Sequence, residues 1–237
     1  MERGEYERLA AVEDRMWWTR ALRRNLHAAA APFVDTPSAR LLDAGCGTGG
    51  WLASLAHGAS FGLDRDGFAC RLAYGRTHKP IAQGSVDDLP FHDAAFDIIV
   101  SADVLCHRGV GVERALGEVY RCLKPGGALI VNLPAYAWLY SAHDRAVDNA
   151  RRFRRREVTR LLAAAGFSRV HATYWNTLLF PLMMVRRLLP SGGSEVGLLP
   201  APLERLFDAT ATFESALLRS GLRLPFGGSI LAVGTRP

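Results

Sequence analysis

Short apolar runs recur along the chain near 40–44, 59–63, 80–83, 96–101, 127–132, 169–175 and 229–234. Between them lie stretches whose apolar residues return every three or four positions, among them 112–122 and 156–165, the latter closed by Gly166-Phe167 as a helix C-cap. Strand alternating with helix predicts a parallel sheet covered by helices on both faces. Two helical patterns, 6–12 and 21–27, precede the first strand. Met16-Trp17-Trp18 stands between them, and Pro32 and Pro37 punctuate the approach to the sheet. Trp17 reads as packing, whereas Trp18 is a candidate to face a pocket, since pockets are commonly lined by aromatics.

Residues 176–227 depart from this alternation. An apolar helix candidate covers 177–189, a Pro/Gly/Ser linker follows at 190–193, and a second helix is predicted from 203 to 218. That second helix would gather Leu203, Leu206, Phe207, Thr210, Phe213 and Leu217 on one side. Substrate cap, dimer interface and membrane-resting face are all open readings of this segment. Its longest apolar stretch, 178–185, is too short to span a bilayer. The chain is therefore expected to be one domain. N-terminal helices occupy 1–36, a core 37–175, the helical insertion 176–227 and a last strand 228–237.

The densest chemical signal is Leu41-Leu42-Asp43-Ala44-Gly45-Cys46-Gly47-Thr48-Gly49-Gly50, an apolar run breaking into glycines before a helical stretch. Such a corner binds nucleotides in doubly wound sheets, because glycine allows a tight turn and a close backbone approach. Asp43 at its mouth would repel a pyrophosphate, and Gly45-x-Gly47-x-Gly49 is not the dinucleotide spacing. Both features favour a cationic nucleoside ligand, and S-adenosylmethionine fits.

The run at 43–50 resembles motif I of the class I S-adenosylmethionine-dependent methyltransferases. Further stretches resemble that family in order. Residues 59–64 resemble a second strand ending in the ribose-binding acid Asp64, and 81–91 the adenine loop, with Ser85 where an aspartate is usual. Residues 96–103 resemble motif IV, and Leu123-Lys124-Pro125-Gly126-Gly127 the turn before the fifth strand. The resemblance implies a Rossmann-like, seven-stranded, mostly parallel sheet whose last strand runs antiparallel. It implies cofactor contacts from Asp43, Gly45, Cys46, Gly47, Asp64, Arg65, Ser85, Val86 and Asp103. Residues 134–144, then Arg151-Arg152-Phe153 and Gly166-Phe167, further resemble a bacterial, type 11-like subgroup of small-molecule methyltransferases of glycan or secondary metabolism. That subgroup commonly shows Gly-His before the arginines, where this chain has Asp148-Asn149-Ala150.

In open α/β sheets ligands sit beyond the carboxyl ends of the strands, so the loops after the fourth and fifth strands should meet the acceptor. A hydroxyl acceptor needs a proton acceptor, and histidine titrates nearest neutral pH. His143 is the first candidate base, oriented by Asp144 or Asp103, and His107 is the second. Trp18, Tyr136, Tyr140 and Arg152 are candidate acceptor contacts.

Composition narrows the partners. The 237 residues carry a net charge of +6, supplied almost wholly by arginine, with Lys79 and Lys124 the only lysines. Seven arginines between 145 and 160 form a solvated helix face or hold an anionic acceptor. No RNA-binding module accompanies them, so a small-molecule acceptor is expected, with RNA or protein methylation or a non-catalytic partner role as rivals. Cys46, Cys70, Cys106 and Cys122 lack metal-ligand spacing, so no metal is expected. With no leader read at the start, they predict a reducing cytoplasm and a monomer or homodimer.

Overall fold

The protein was analysed as a computed structural model that describes residues 3–34, 38–56, 59–188 and 196–237. The expected linker at 190–193 and Pro37 lie outside the described residues. Seven strands form one sheet in the order β3 (Ile81–Gln83), β2 (Ser60–Asp64), β1 (Leu41–Ala44), β4 (Phe96–Ala102), β5 (Leu123–Pro134), β7 (Ser229–Thr235), β6 (Ser168–Trp175). β3 through β5 run parallel, whereas β7 is antiparallel to both of its neighbours. The central strands carry unbroken apolar runs because helices cover both faces. Leu42 and Ile99 point into one layer with Leu116, Val119 and Phe167, while Leu41 and Ile98 join Leu26, Leu52 and Trp175 in the other. Strand order reverses between β1 and β4, which opens a crevice at their carboxyl ends.

The helices are α1 (Arg3–Val12), α2 (Trp17–Ala30), α3 (Gly50–Ala53), α4 (Gly67–Thr77), α5 (Val112–Cys122), α6 (Ala142–Ala146), α7 (Arg155–Ala164), α8 (Phe180–Leu188) and α9 (Ala201–Arg219). None of them is long and apolar enough to cross a membrane. α5 buries Val112, Leu116, Val119 and Cys122, the spacing its sequence predicts.

One element differs from expectation, and the sequence leaves the orientation of another open. The expected turn at 123–127 lies within β5. Leu123 pairs with Phe96, the register shifts, and the ladder resumes at Ala128 opposite Ile98. Gly126 (φ +81°) and Gly127 exchange backbone hydrogen bonds with Arg236, so the excursion is an irregularity anchored to the end of β7. The periodicity of α9 leaves its orientation open, and the structure sets it. Leu203, Leu206 and Phe213 are exposed at 41 %, 58 % and 60 %, while Glu204, Glu214 and Ser215 are buried. The physical reason is local. Glu214 accepts the backbone N–H groups of Thr177 (2.8 Å) and Leu178 (2.9 Å), and Glu204 accepts those of Trp17 (2.8 Å) and Leu199 (2.9 Å). Asp208 pairs with Arg20 and Arg24 of α2. Six polar attachments outweigh the apolar stripe and fix which side faces in.

The insertion is tied to the loop after β5 through one carboxylate. Ser141 caps α6, and its backbone N–H donates to Asp144 Oδ2 at 2.9 Å. Asp144 also accepts from Asn149 (3.1 Å), Arg152 Nε (2.9 Å) and Arg187 Nη1 of α8 (3.0 Å). Its side chain is 0 % exposed, and the two guanidinium side chains are 3 % and 9 % exposed. Removing the shared acid takes a buried carboxylate away from two buried guanidinium groups. Asp144→Ala should therefore lower the unfolding free energy by about 3–5 kcal/mol, measured by denaturant titration, whereas Asp148→Ala at the half-exposed pair with Arg108 should cost under about 1 kcal/mol.

Candidate active site

The turn after β1 is built by backbone constraints. The amides of Gly45 and Cys46 both donate to the Leu63 carbonyl, at 2.8 and 2.9 Å. Gly45 has φ +95°, and a Cβ there would overlap the Val104 side chain. Gly47 has φ +53° and faces open space, so its hydrogen leaves room that a ligand can use. Its amide donates to Asp64 Oδ2 (2.9 Å), while Asp66 N donates to Oδ1 (2.9 Å), so Asp64 is held rigidly at the end of β2. Burial pushes the Cys46 thiol up, which suits a packing residue and not a nucleophile.

Asp43 is 4 % exposed and carries no hydrogen bond or ion pair among the described residues. Burial, then the charges of Asp64 and Glu13, push its pKa up to about 8. A buried acid beside two others calls for a cation.

The N-terminal helices roof this turn. Glu13 is buried and accepts from Thr48 Oγ1 (2.6 Å), Arg23 (3.2 Å) and Arg76. Tyr6 packs edge-on against Phe68, its hydroxyl pKa raised by burial and by Asp64 and Asp66. Tyr6, Leu9 and Glu13 all line the cavity, and no functional expectation covered them. Their spacing of three and seven, one helix face, was the signal available.

A cavity of about 640 Å³ runs from this turn to the loops after β4 and β5. Its wall includes the expected Trp18, Asp43, Gly45, Cys46, Gly47, Asp64, Arg65, Ser85, Val86, Asp103, His107, His143 and Arg152. Leu182 and Met183 of α8 and Leu203 and Phe207 of α9 also line it. Trp18 stacks on Trp175 at 6.0 Å. Trp17, expected to be packing alone, meets Phe207 edge-on at 5.6 Å and reaches the wall as well. Two buried polar atoms of wall residues, Trp51 Nε1 and Asn176 Oδ1, have no hydrogen-bond partner among the described residues.

Asp103 follows β4 with φ +56°, a left-handed backbone that turns its carboxylate into the cleft. Asn132 of β5 donates to Asp103 Oδ2 at 3.0 Å, and Trp175 Nε1 fixes that amide by donating to its oxygen at 2.7 Å. Burial raises the Asp103 pKa. The Asn132 hydrogen bond and the Arg152 charge partly offset this, leaving it at about 7. His107 lies against the Asp148 carbonyl (3.3 Å), and burial holds its pKa below the ordinary value.

Three expected site residues lie outside the cavity wall. Tyr136 has φ +60° and stacks on Tyr174 at 5.2 Å, within an aromatic cluster that includes Trp138 and Phe180. The Tyr140 hydroxyl donates to the Asn149 carbonyl at 2.8 Å. Asp144 is fully enclosed. Burial raises its pKa, but Arg152 and the surrounding donors outweigh that and bring it below the usual carboxylate value. It anchors the loop and cannot orient His143 as a catalytic acid would. Arg152 reaches the wall, yet its guanidinium is bound to Asp144 and to the Ala135 carbonyl (3.0 Å), which weakens the case for an anionic acceptor.

Residues 42–131 match the family model described as "Methyltransferase domain". The strand order, the acid-mouthed glycine turn and this match agree. Over that stretch the chain is similar to the class I S-adenosylmethionine-dependent methyltransferases. Among curated relatives, a phthiotriol/phenolphthiotriol dimycocerosates methyltransferase of Mycobacterium ulcerans is 33 % identical over 45 % of this chain and 41 % of its own length. A 24-methylenesterol C-methyltransferase of Oryza sativa is 33 % identical over 48 % and 32 %. The chain thus spans under half the length of these relatives. A solved phosphoethanolamine N-methyltransferase of Haemonchus contortus, in complex with S-adenosyl-L-methionine, superposes with a TM-score of 0.59 at 15 % identity. That superposition covers 90 % of this chain and 52 % of the other, and it bears on the fold alone.

The cofactor of that family, S-adenosylmethionine, fits the residues present. Asp43, Asp64 and Glu13 gather at the glycine turn. Arg23 and Arg76 are taken up by Glu13, and Asp43 has no cation of its own among the described residues. This suits an ammonium-bearing and sulfonium-bearing ligand better than a pyrophosphate. The raised pKa of Asp43 also sets a stability test. Its ionisation is disfavoured in the fold, so stability is complete below the ordinary carboxylate value of 3.8 and declines as pH rises towards about 8. Ligand-free Asp43→Asn cannot ionise there. Its thermal midpoint should match wild type in acid and exceed it by several degrees above pH 8, by calorimetry.

Proposed function

We propose that this domain transfers a methyl group from S-adenosylmethionine to an oxygen or nitrogen atom of a small-molecule acceptor. The observation that carries this reading is the single cavity joining the glycine turn to Asp103, His107 and His143 under the apolar roof of α2, α8 and α9. Asp43 would hold the ammonium, Asp64 the ribose hydroxyls, and Ser85 and Val86 the adenine edge. The bound cofactor supplies an electrophilic methyl on a sulfonium. The chain's own task is to hold the nucleophile in line with it and to take up the proton released.

Asp103 is better placed for that proton than either histidine. It lies at the strand end facing the cleft, is oriented by Asn132, and titrates near neutrality. As the acceptor's O–H or N–H atom bonds to the methyl carbon, the sulfur keeps the electron pair of the broken bond and Asp103 receives the proton. His143, also at the wall, is then a positioning contact. The roof favours an acceptor with an apolar body, and the named activities of the M. ulcerans and rice relatives, on lipid-like molecules, support the same class. RNA is less favoured. Within 145–160, Arg151 pairs with Glu157, Arg152 is buried on Asp144, and Arg155 stacks over Tyr174.

Incubation with methyl-labelled cofactor and fractionated extract should place the label in low-mass, apolar metabolites. Label in RNA or protein, or none at all, would sink the acceptor class. With the acceptor in hand, the rate should rise with pH through about 7. Asp103→Asn should lower kcat by roughly 10²-fold or more and remove that limb while leaving cofactor affinity near wild type. His143→Ala should keep the limb.

A further inference from the structure

α9 turns its acids inward and its apolar residues outward. Glu204 and Glu214 are buried on backbone amides, and Asp208 is paired with Arg20 and Arg24. These three are the only acids in 178–188 and 196–226, so among the described residues of the insertion no acid is exposed and unengaged. The exposed charges there are all arginine: Arg186, Arg205, Arg219 and Arg223.

The exposed apolar residues are large and run along the same elements. Leu206 and Phe213 stand at 58 % and 60 %, and Leu178 and Val185 beside α8 at 49 % and 52 %. By helical spacing Leu203, Leu206 and Phe213 share one side of the exposed arc of α9, with Arg205 and Arg219 along its other edge. Leu182 and Leu203, 52 % and 41 % exposed, also line the cavity, so its mouth opens on this surface.

We propose that the outer face of α8 and α9 docks on an anionic lipid bilayer. Leucine and phenylalanine on one side and arginine on the other is the arrangement that rests in a headgroup region, where each basic residue near an anionic surface adds attraction. Long arginine side chains can flank an inserted apolar stripe and keep their charge among the headgroups. A second copy of the same face is a poorer occupant, because a two-fold pairing brings arginine towards arginine with no exposed, unengaged acid among the described residues of the insertion to neutralise it. The docked orientation lets an apolar ligand enter the cavity at Leu182 and Leu203 without crossing water.

The test is co-sedimentation of the whole chain with vesicles of phosphatidylcholine alone and of phosphatidylcholine mixed with phosphatidylglycerol. Binding to the anionic vesicles should exceed that to the neutral ones by on the order of tenfold or more and should fall with salt. Leu206→Glu with Phe213→Glu should abolish sedimentation. Arg205→Glu with Arg219→Glu should remove the preference for anionic lipid. None of these residues lines the cavity. Titration with S-adenosylhomocysteine, unchanged in every variant, confirms folding and separates failure here from failure of the proposed function. Wild type that sediments with neither vesicle overturns the proposal. So does a wild-type dimer, seen by light scattering, that Phe213→Glu converts to monomer without changing vesicle binding, since the face would then belong to a second copy.

Discussion

Negative charge crowded onto one glycine turn is the constraint around which this molecule is arranged. Asp43 stands one residue before the end of β1 and Asp64 at the end of β2, parallel neighbours whose carboxyl ends face the same crevice. The turn after α1 adds Glu13 from above. Two of the three acids are satisfied, Asp64 by backbone amides and Glu13 by arginine and threonine, whereas Asp43 stays unpaired and strongly perturbed. A sequence selected for stability alone would not keep an unpartnered carboxylate at the heart of its sheet. Its persistence marks a place where local energetics yield to ligand binding.

The far end of the cavity is organised by the opposite means. There charge is neutralised internally, in a chain running from Asp103 past Arg152 and Asp144 to Arg187. Because Arg187 belongs to α8, the roof over the acceptor and the loop carrying His143 are bound to the same carboxylate. The two ends thus differ in what they leave open. The cofactor end offers an unmet acid, and the acceptor end offers apolar wall with one half-neutralised carboxylate at its base.

Much of this was legible in the sequence. β1 and β4 read as strands because they are buried on both faces, and α5 because its apolar period has no competitor. The acid-mouthed glycine turn could be read because it needs glycine for steric reasons that few other turns share. Direction was not legible. Tyr136, Tyr140 and Asp144 have the chemistry of a reacting site, yet their side chains turn to Tyr174, Asn149 and the arginine pair. The apolar stripe of α9 was legible as a pattern, but its orientation was not. Periodicity identifies which residues share a face, whereas burial here was decided by backbone amides at 177, 178, 17 and 199 that only tertiary structure brings to Glu214 and Glu204. Glu13 was missed for the same reason, since its partners Thr48 and Arg76 are distant in the chain.

The central claim is that Asp43 stays uncharged until a cationic cofactor arrives. Calorimetric titration of S-adenosylmethionine at pH 7, repeated in buffers of different ionisation enthalpy, tests it directly. If the ammonium pairs with Asp43, binding ionises an acid that titrates near 8 in the free protein, so protons must be released to the buffer. That release should vanish in Asp43→Asn, and the affinity should drop. Tight binding whose heat does not depend on the buffer, or that is unaltered in Asp43→Asn, would contradict the account.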